Sequence, residues 1–164
     1  MKTLKLIFCL ISFTILVSCK KESKAELNIK KDPITQSALI KQGVKNIPDN
    51  VDDSFETFFE YFNKDSLFQI SRIDFPITVM ELDWKNDYAD IEMIIELKDY
   101  HVLDLTYDKS YELRESDKYT QETLLDENKA IIKIRGIDNG IYSDYEFEKN
   151  KGKWKLKTWN DSST

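Results

Sequence analysis

Hydrophobic positions along this chain change their spacing three times. Leu6 to Val17 is an uncharged run of 12 residues, mostly Leu, Ile, Phe and Val, behind a start that carries Lys2 and Lys5. Lys20 to Lys31 is polar, with five lysines and two glutamates. Further on, Phe55, Phe58, Phe59 and Phe62 fall at i, i+3, i+4 and i+7, one wide apolar stripe at helical period. That spacing predicts a helix over 53–63, with Asp53 and Glu56 placed as a capping box. A second helix is predicted over 65–72, turning Leu67, Phe68, Ile70 and Ile73 inward.

From Ile73 onward the period drops to two. Phe75, Ile77, Val79 and Glu81 share one alternation, which predicts a strand over 73–82 with Pro76 at an edge or at its start. Ile91, Met93, Ile95 and Leu97 read as a strand over 87–97, although Ile91, Ile94 and Ile95 also fit a helix. Val102, Leu103 and Leu105 suggest a strand over 100–107. Strands follow over 120–125, 129–137, 142–148 and 153–159. Asp138-Asn139-Gly140 and Asn150-Lys151-Gly152 between them are hairpin signals. Helices first and an antiparallel meander after them make the α+β pattern.

The front of the chain carries a different message. A basic start, a short apolar stretch and a small residue before charge resumes form the signal-peptide pattern. Twelve apolar residues fall short of the roughly 20 needed to span a bilayer core. Leu16-Val17-Ser18-Cys19 resembles the lipobox of bacterial lipoproteins. The resemblance implies cleavage between Ser18 and Cys19 and a diacylglyceryl group on the Cys19 thiol, so that the membrane becomes a partner through lipid. One acyl chain anchors only marginally, whereas two or more hold stably.

The expected organisation is therefore a lipoprotein signal over 1–18, an anchor and tether over 19–49, and one α+β domain over 50–164. A short helix is expected over 32–42, from Asp32-Pro33 to Gly43. Ile47-Pro48-Asp49-Asn50 marks the domain boundary. The expected location is the bacterial cell envelope, at the outer rather than the inner membrane.

Composition narrows the chemistry. The chain has two cysteines. Cys9 leaves with the signal and Cys19 is taken by lipid, which excludes disulfides, thiol catalysis and cysteine-ligated metals. Removing residues 1–18 leaves 146 residues and takes away Lys2 and Lys5, so 22 basic residues face 30 acidic ones, a formal charge of −8. That balance lacks the basic footprint of a nucleic-acid binder.

Two segments resemble a family. Phe55-Glu56-Thr57-Phe58-Phe59-Glu60-Tyr61-Phe62, with Asp65 to Pro76 behind it, is similar to the start of an uncharacterised lipoprotein domain of Bacteroidetes-type bacteria. Tyr145-Glu146-Phe147-Glu148 and Gly152-Lys153-Trp154-Lys155-Leu156 are similar to its end. The resemblance covers about residues 50–160 and implies a nuclear transport factor 2-like cone, helices packed on a curved antiparallel sheet. That family has no assigned function, so no catalytic residue is carried over.

Candidate chemistry is sparse. His101 is the single histidine. It sits beside Val102 and Leu103 and reads as a partly exposed strand residue, and no Gly-x-Ser-x-Gly elbow is present to use it. No cofactor is expected, and neither zinc nor calcium spacing appears. Asp49, Asp52 and Asp53 suit a helix start. Arg72 and Asp74, two apart on a strand, would share a face. In a cone with a polar pocket they would serve a small hydrolase or isomerase. Lys149, Lys151, Lys153, Lys155 and Lys157 recur at every second position, with the last three opposite Trp154 and Leu156. They suit an anionic glycan or lipid, though lysines on an outer strand also serve to block strand pairing. Trp159 would share the lysine face. Asp65-Ser66-Leu67 resembles a short O-glycan acceptor, with Ser66 as a helix cap the simpler account.

The expected function is a non-catalytic, membrane-tethered binding or accessory module with an unknown envelope ligand or protein partner. The alternative is an envelope enzyme built on Arg72 and Asp74. Substituting Cys19→Ala is expected to move the exported protein out of the membrane fraction. Intact-mass spectrometry of the wild type should show acyl mass on the peptide that begins at Cys19.

Overall fold

The computed structural model describes residues 47–164. The expected signal, Ser18, the lipidation site Cys19, the tether and the helix over 32–42 lie outside the described residues. Among those residues, no helix is long and apolar enough to cross a membrane.

Helix α1 spans Phe55–Lys64. Its cap is Ser54 rather than Asp53, one residue later than the spacing predicted. The Ser54 hydroxyl accepts from the Thr57 amide at 3.1 Å, so Thr57 stands where Glu56 was expected to close a capping box. Helix α2 spans Ser66–Ser71. Asp65 caps it by accepting from the Phe68 amide at 2.8 Å, which makes Ser66 the first helical residue and not the cap. The short connection turns Phe55, Phe58, Phe62 and Phe68 onto one buried surface.

Six strands make one sheet: β1 Ile77–Asp83, β2 Ala89–Ile95, β3 Tyr119–Asp126, β4 Lys129–Gly136, β5 Tyr142–Asn150 and β6 Lys153–Asp161. Their order is β2-β1-β6-β5-β4-β3. The meander from β3 to β6 is antiparallel, as the turn signals predicted. Lys151 and Gly152 both have positive φ, 50° and 77°, which suits the two-residue turn joining Asn150 to Lys153. The sheet is not wholly antiparallel, however. β1 lies parallel to β6, with Met80 opposite Asn160 and Glu81 opposite Asp161. The expected antiparallel sheet is thus corrected to a mixed one in an α+β domain. Alternation within a strand does not report the direction of its neighbour, so the sequence carried no sign of this pair.

Two further expectations fail for local reasons. Residues 100–107 form no strand. Their backbone is bonded to side chains instead of a neighbouring strand. Gln69 Nε2 donates to Leu103 O at 2.9 Å and Gln69 Oε1 accepts from Leu103 N at 2.7 Å. Asn63 Oδ1 accepts from Leu105 N at 3.0 Å. Trp159 is buried, not on the lysine face. Phe147 pairs with Leu156 and Glu146 with Thr158, leaving Lys157 as the extra residue of a β-bulge. One extra residue reverses the parity of everything beyond it, and Trp159 turns inward.

The helices cover the inner face of the sheet. Phe147 stands edge-on to Phe55, Phe58, Phe59 and Phe62, with centroids 5.2–5.9 Å away. Trp154 meets Phe55 edge-on at 5.1 Å. Phe58 is fully buried among these rings. Phe58→Ala is expected to cost about 3–5 kcal/mol, the range for truncating a buried aromatic, read as a lower denaturation midpoint with an unchanged slope.

Candidate functional site

With its inner face committed to the core, β6 presents Lys153, Lys155 and Lys157 outward. The register sets Lys155 against Glu148 and Lys153 against Asn150 on β5, and Lys151 lies in the turn between them. A further wall comes from the segment between α2 and β1. Leu156 N donates to Arg72 O at 2.9 Å, and Ile73 forms a parallel bridge with Leu156. That pairing lays Asp74 alongside β6, where it is ion-paired with Lys155. The result is a groove of about 390 Å³ lined by Asp74, Glu148, Asn150, Lys151, Lys153, Lys155 and Lys157.

Charge within the groove is unevenly compensated. Lys155 has a carboxylate on each side, Asp74 by ion pair and Glu148 by cross-strand register. Lys151, Lys153 and Lys157 have no ion-pair partner among the described residues. Blocking a sheet edge does not explain them, because β6 is internal in the strand order. β5 pairs along it, and β1 pairs with its far end at Asn160 and Asp161. At the lysines its other flank is closed by the Leu156 N to Arg72 O bond and the Ile73 bridge. The edges are β2 and β3.

Arg72 and Asp74 do not form the pair that the sequence suggested. Arg72 is buried, and its guanidinium donates to both oxygens of Asp52, at 3.0 and 2.8 Å. The same Asp52 accepts from the Trp154 amide at 2.9 Å. The guanidinium also lies 4.5 Å from the Phe68 ring centroid. Asp74 faces the other way, with a side chain 63% exposed. The physical reason is that the chain has not yet entered β1 at these positions, so the two-residue alternation assumed for them does not apply. Sequence reading placed Asp52 only at a helix start; nothing in its spacing reveals a partner 20 residues away.

His101 is exposed and lies on no strand. The inner face holds a few polar groups near the ends of β5 and β6. Ser143 donates to Asp161 at 3.0 Å, and Tyr145 lies beside Trp159. Burial pushes the Tyr145 hydroxyl up to about 12, with the Asp161 carboxylate adding to the effect. The phenol therefore stays protonated near neutral pH. Tyr100 is likewise raised by burial while donating to Gln69 at 2.6 Å. Among the described residues, no group of three or more His, Cys, Asp or Glu side chains is placed to hold a metal. Asp65 is occupied in capping α2, and Ser66 beside it is exposed.

Comparisons with known proteins fit a domain without assigned chemistry. A family model described as a domain of unknown function (DUF4348) matches residues 19–161. No curated protein matches the chain. Among solved structures, an NTF2-like protein from Bacteroides fragilis is 22% identical over 73% of this chain and 51% of its own, with a TM-score of 0.49. The chain thus spans about half the length of that protein. A cystatin-like protein from Bacteroides caccae is 19% identical over 66% of this chain and 75% of its own, with a TM-score of 0.47. A protein from Bacteroides uniformis is 19% identical over 65% of this chain and 75% of its own, with a TM-score of 0.49. Likenesses this distant carry no argument about activity.

Truncating Asp52 would strand a buried guanidinium. Asp52→Ala is expected to destabilise the domain by about 3–5 kcal/mol, whereas Asp52→Leu with Arg72→Met should lose far less, because the apolar pair leaves no charge uncompensated. Asp74→Ala, at an exposed pair, should cost no more than about 1 kcal/mol. Urea denaturation of the variants checks the order.

Proposed function

The chain belongs to the DUF4348 family, and from that premise we propose that it is an exported, lipid-anchored module that binds an anionic ligand through the outward groove of β6 and performs no catalysis. The observation that carries the reading is the set of uncompensated lysines around a concave surface on an internal strand. Solvated surface lysines need no groove, and the flank of β6 that edge protection would guard is already bonded to Arg72 and Ile73. A polar groove of this size is within the range of small-ligand sites, and its lining selects for charge rather than for apolar shape.

In this reading Cys19 supplies the anchor at a membrane of the cell envelope, residues 19–49 the tether, and the α+β domain the binding surface. The fold is read as the nuclear transport factor 2-like type, with α1 and α2 laid over the inner face of the sheet. That type often encloses a pocket beneath its helices. Here the space under α1 is filled by the rings around Phe147, which favours the outer face as the working one. The enzymatic alternative loses support with its residues, since Arg72 is saturated by Asp52 and Asp74 turns to Lys155.

Pyrophosphate titrated into the full-length protein should shift backbone amide resonances chiefly between residues 148 and 157. Lys153→Glu combined with Lys157→Glu should weaken the affinity about tenfold or more, and raising the salt should weaken it further, as exposed charges are screened. Resonance shifts centred elsewhere would refute the groove as the binding surface.

A further inference from the structure

The groove is not uniformly basic, and the mixture is informative. Its midpoint is Lys155, ion-paired with Asp74 and opposite Glu148 in the cross-strand register, while cations without an ion pair lie on either side, Lys151 and Lys153 towards the turn and Lys157 at the bulge. A surface built for a flat anionic bilayer or a simple polyanion gains nothing from two carboxylates at its centre, because each repels the ligand. Those carboxylates only accept hydrogen bonds, whereas the Asn150 amide beside them can accept or donate. The carboxylates become useful only if the ligand brings hydrogen-bond donors between its negative charges.

Spacing adds a second constraint. Four residues of extended chain separate Lys153 from Lys157, roughly 13 Å at about 3.3 Å per residue, and the bulge shortens this somewhat. A single phosphate or carboxylate cannot reach both cations. The ligand must carry anionic groups at intervals, with neutral donors between them. An extended acidic peptide provides the charges, but its donors are only the backbone N–H groups, one per residue and fixed to the main chain instead of set around each charge. Sugar rings bearing carboxylate or phosphate provide both, since every ring hydroxyl can donate to a carboxylate.

We propose that the ligand of the β6 groove is an acidic oligosaccharide, whose anionic groups are bound by Lys151, Lys153 and Lys157 and whose hydroxyls donate to Asp74 and Glu148. The proposal rests on the reading of the groove as an anion-binding surface and specifies its ligand class. Among the described residues no aromatic side chain lines the groove, so affinity comes from charge and hydrogen bonds instead of ring stacking.

The test compares two probes of equal charge, tetragalacturonate and a tetraglutamate peptide blocked at both ends, by calorimetry on the protein as purified from membranes in neutral detergent micelles. The expected result is a preference of about tenfold for the oligosaccharide, the size of one hydrogen bond to a charged acceptor. In the Asp74→Ala, Glu148→Ala double variant that preference should fall to about unity, even though overall attraction for anions rises. Equal binding of the two probes by the wild type overturns the oligosaccharide assignment and leaves the anion-binding reading standing. Binding of neither probe overturns both. A preference that survives the double variant also refutes the assignment, because the hydroxyls would then be recognised elsewhere.

Discussion

The buried pairing of Arg72 with Asp52 holds three separate parts of the chain in one place. Asp52 precedes α1, Arg72 follows α2, and the Trp154 amide that shares the Asp52 carboxylate begins β6. Two charges removed from water cost several kcal/mol, and the attraction between them repays this only when geometry and remaining valences are well satisfied. Here both carboxylate oxygens are engaged and the guanidinium also rests against Phe68. The pair therefore acts less as a source of net stability than as a registration device. It fixes where the helical layer ends relative to β6, so that Ile73 bridges Leu156 and Asp74 arrives beside Lys155. The groove on the outer face is a consequence of a contact made on the inner side.

Much of this domain was legible in the amino-acid sequence because its signals are short in range. The phenylalanine spacing placed α1, the glycine turns placed the last hairpins, and alternation placed most strands. The errors share a different cause. Gln69 is a polar residue on the buried face of a helix, and its side chain satisfies the Leu103 backbone, so an alternating segment never becomes a strand. Lys157 enters as a bulge and reverses the side on which Trp159 lies. The partner of Arg72 is 20 residues away and the partner of Asp74 is 81 residues away. Each of these facts depends on which element meets which, and local periodicity carries no information about that.

The candidate site was half legible for the same reason. The lysine repeat is visible in the sequence, as is its placement opposite Trp154 and Leu156. What changes its meaning is topology. On an edge strand the repeat would discourage pairing with other chains. β6 is internal because β1 lies parallel beside its far end at Asn160 and Asp161. Next to the lysines the flank away from β5 is taken by the Arg72–Ile73 segment, which leaves little pairing to discourage. The lysines then require a reason of their own, and the acids set among them narrow what that reason is.

A net acidic protein offering a basic groove appears contradictory until distances are considered. The formal charge of −6 is spread over the whole chain, and at physiological salt the interaction of exposed charges decays over about 8 Å. An anion in the groove therefore responds to the lysines within a few ångströms far more than to acids across the domain. The surrounding negative charge acts earlier, on approach, where it slows the encounter with anions of every kind. Binding under those conditions is set by close contacts and not by long-range steering. For the ligand class we propose, selectivity would then reside in the local arrangement of lysines, carboxylates and amide, which would distinguish ligands by where they carry donors as well as by how much charge they bring.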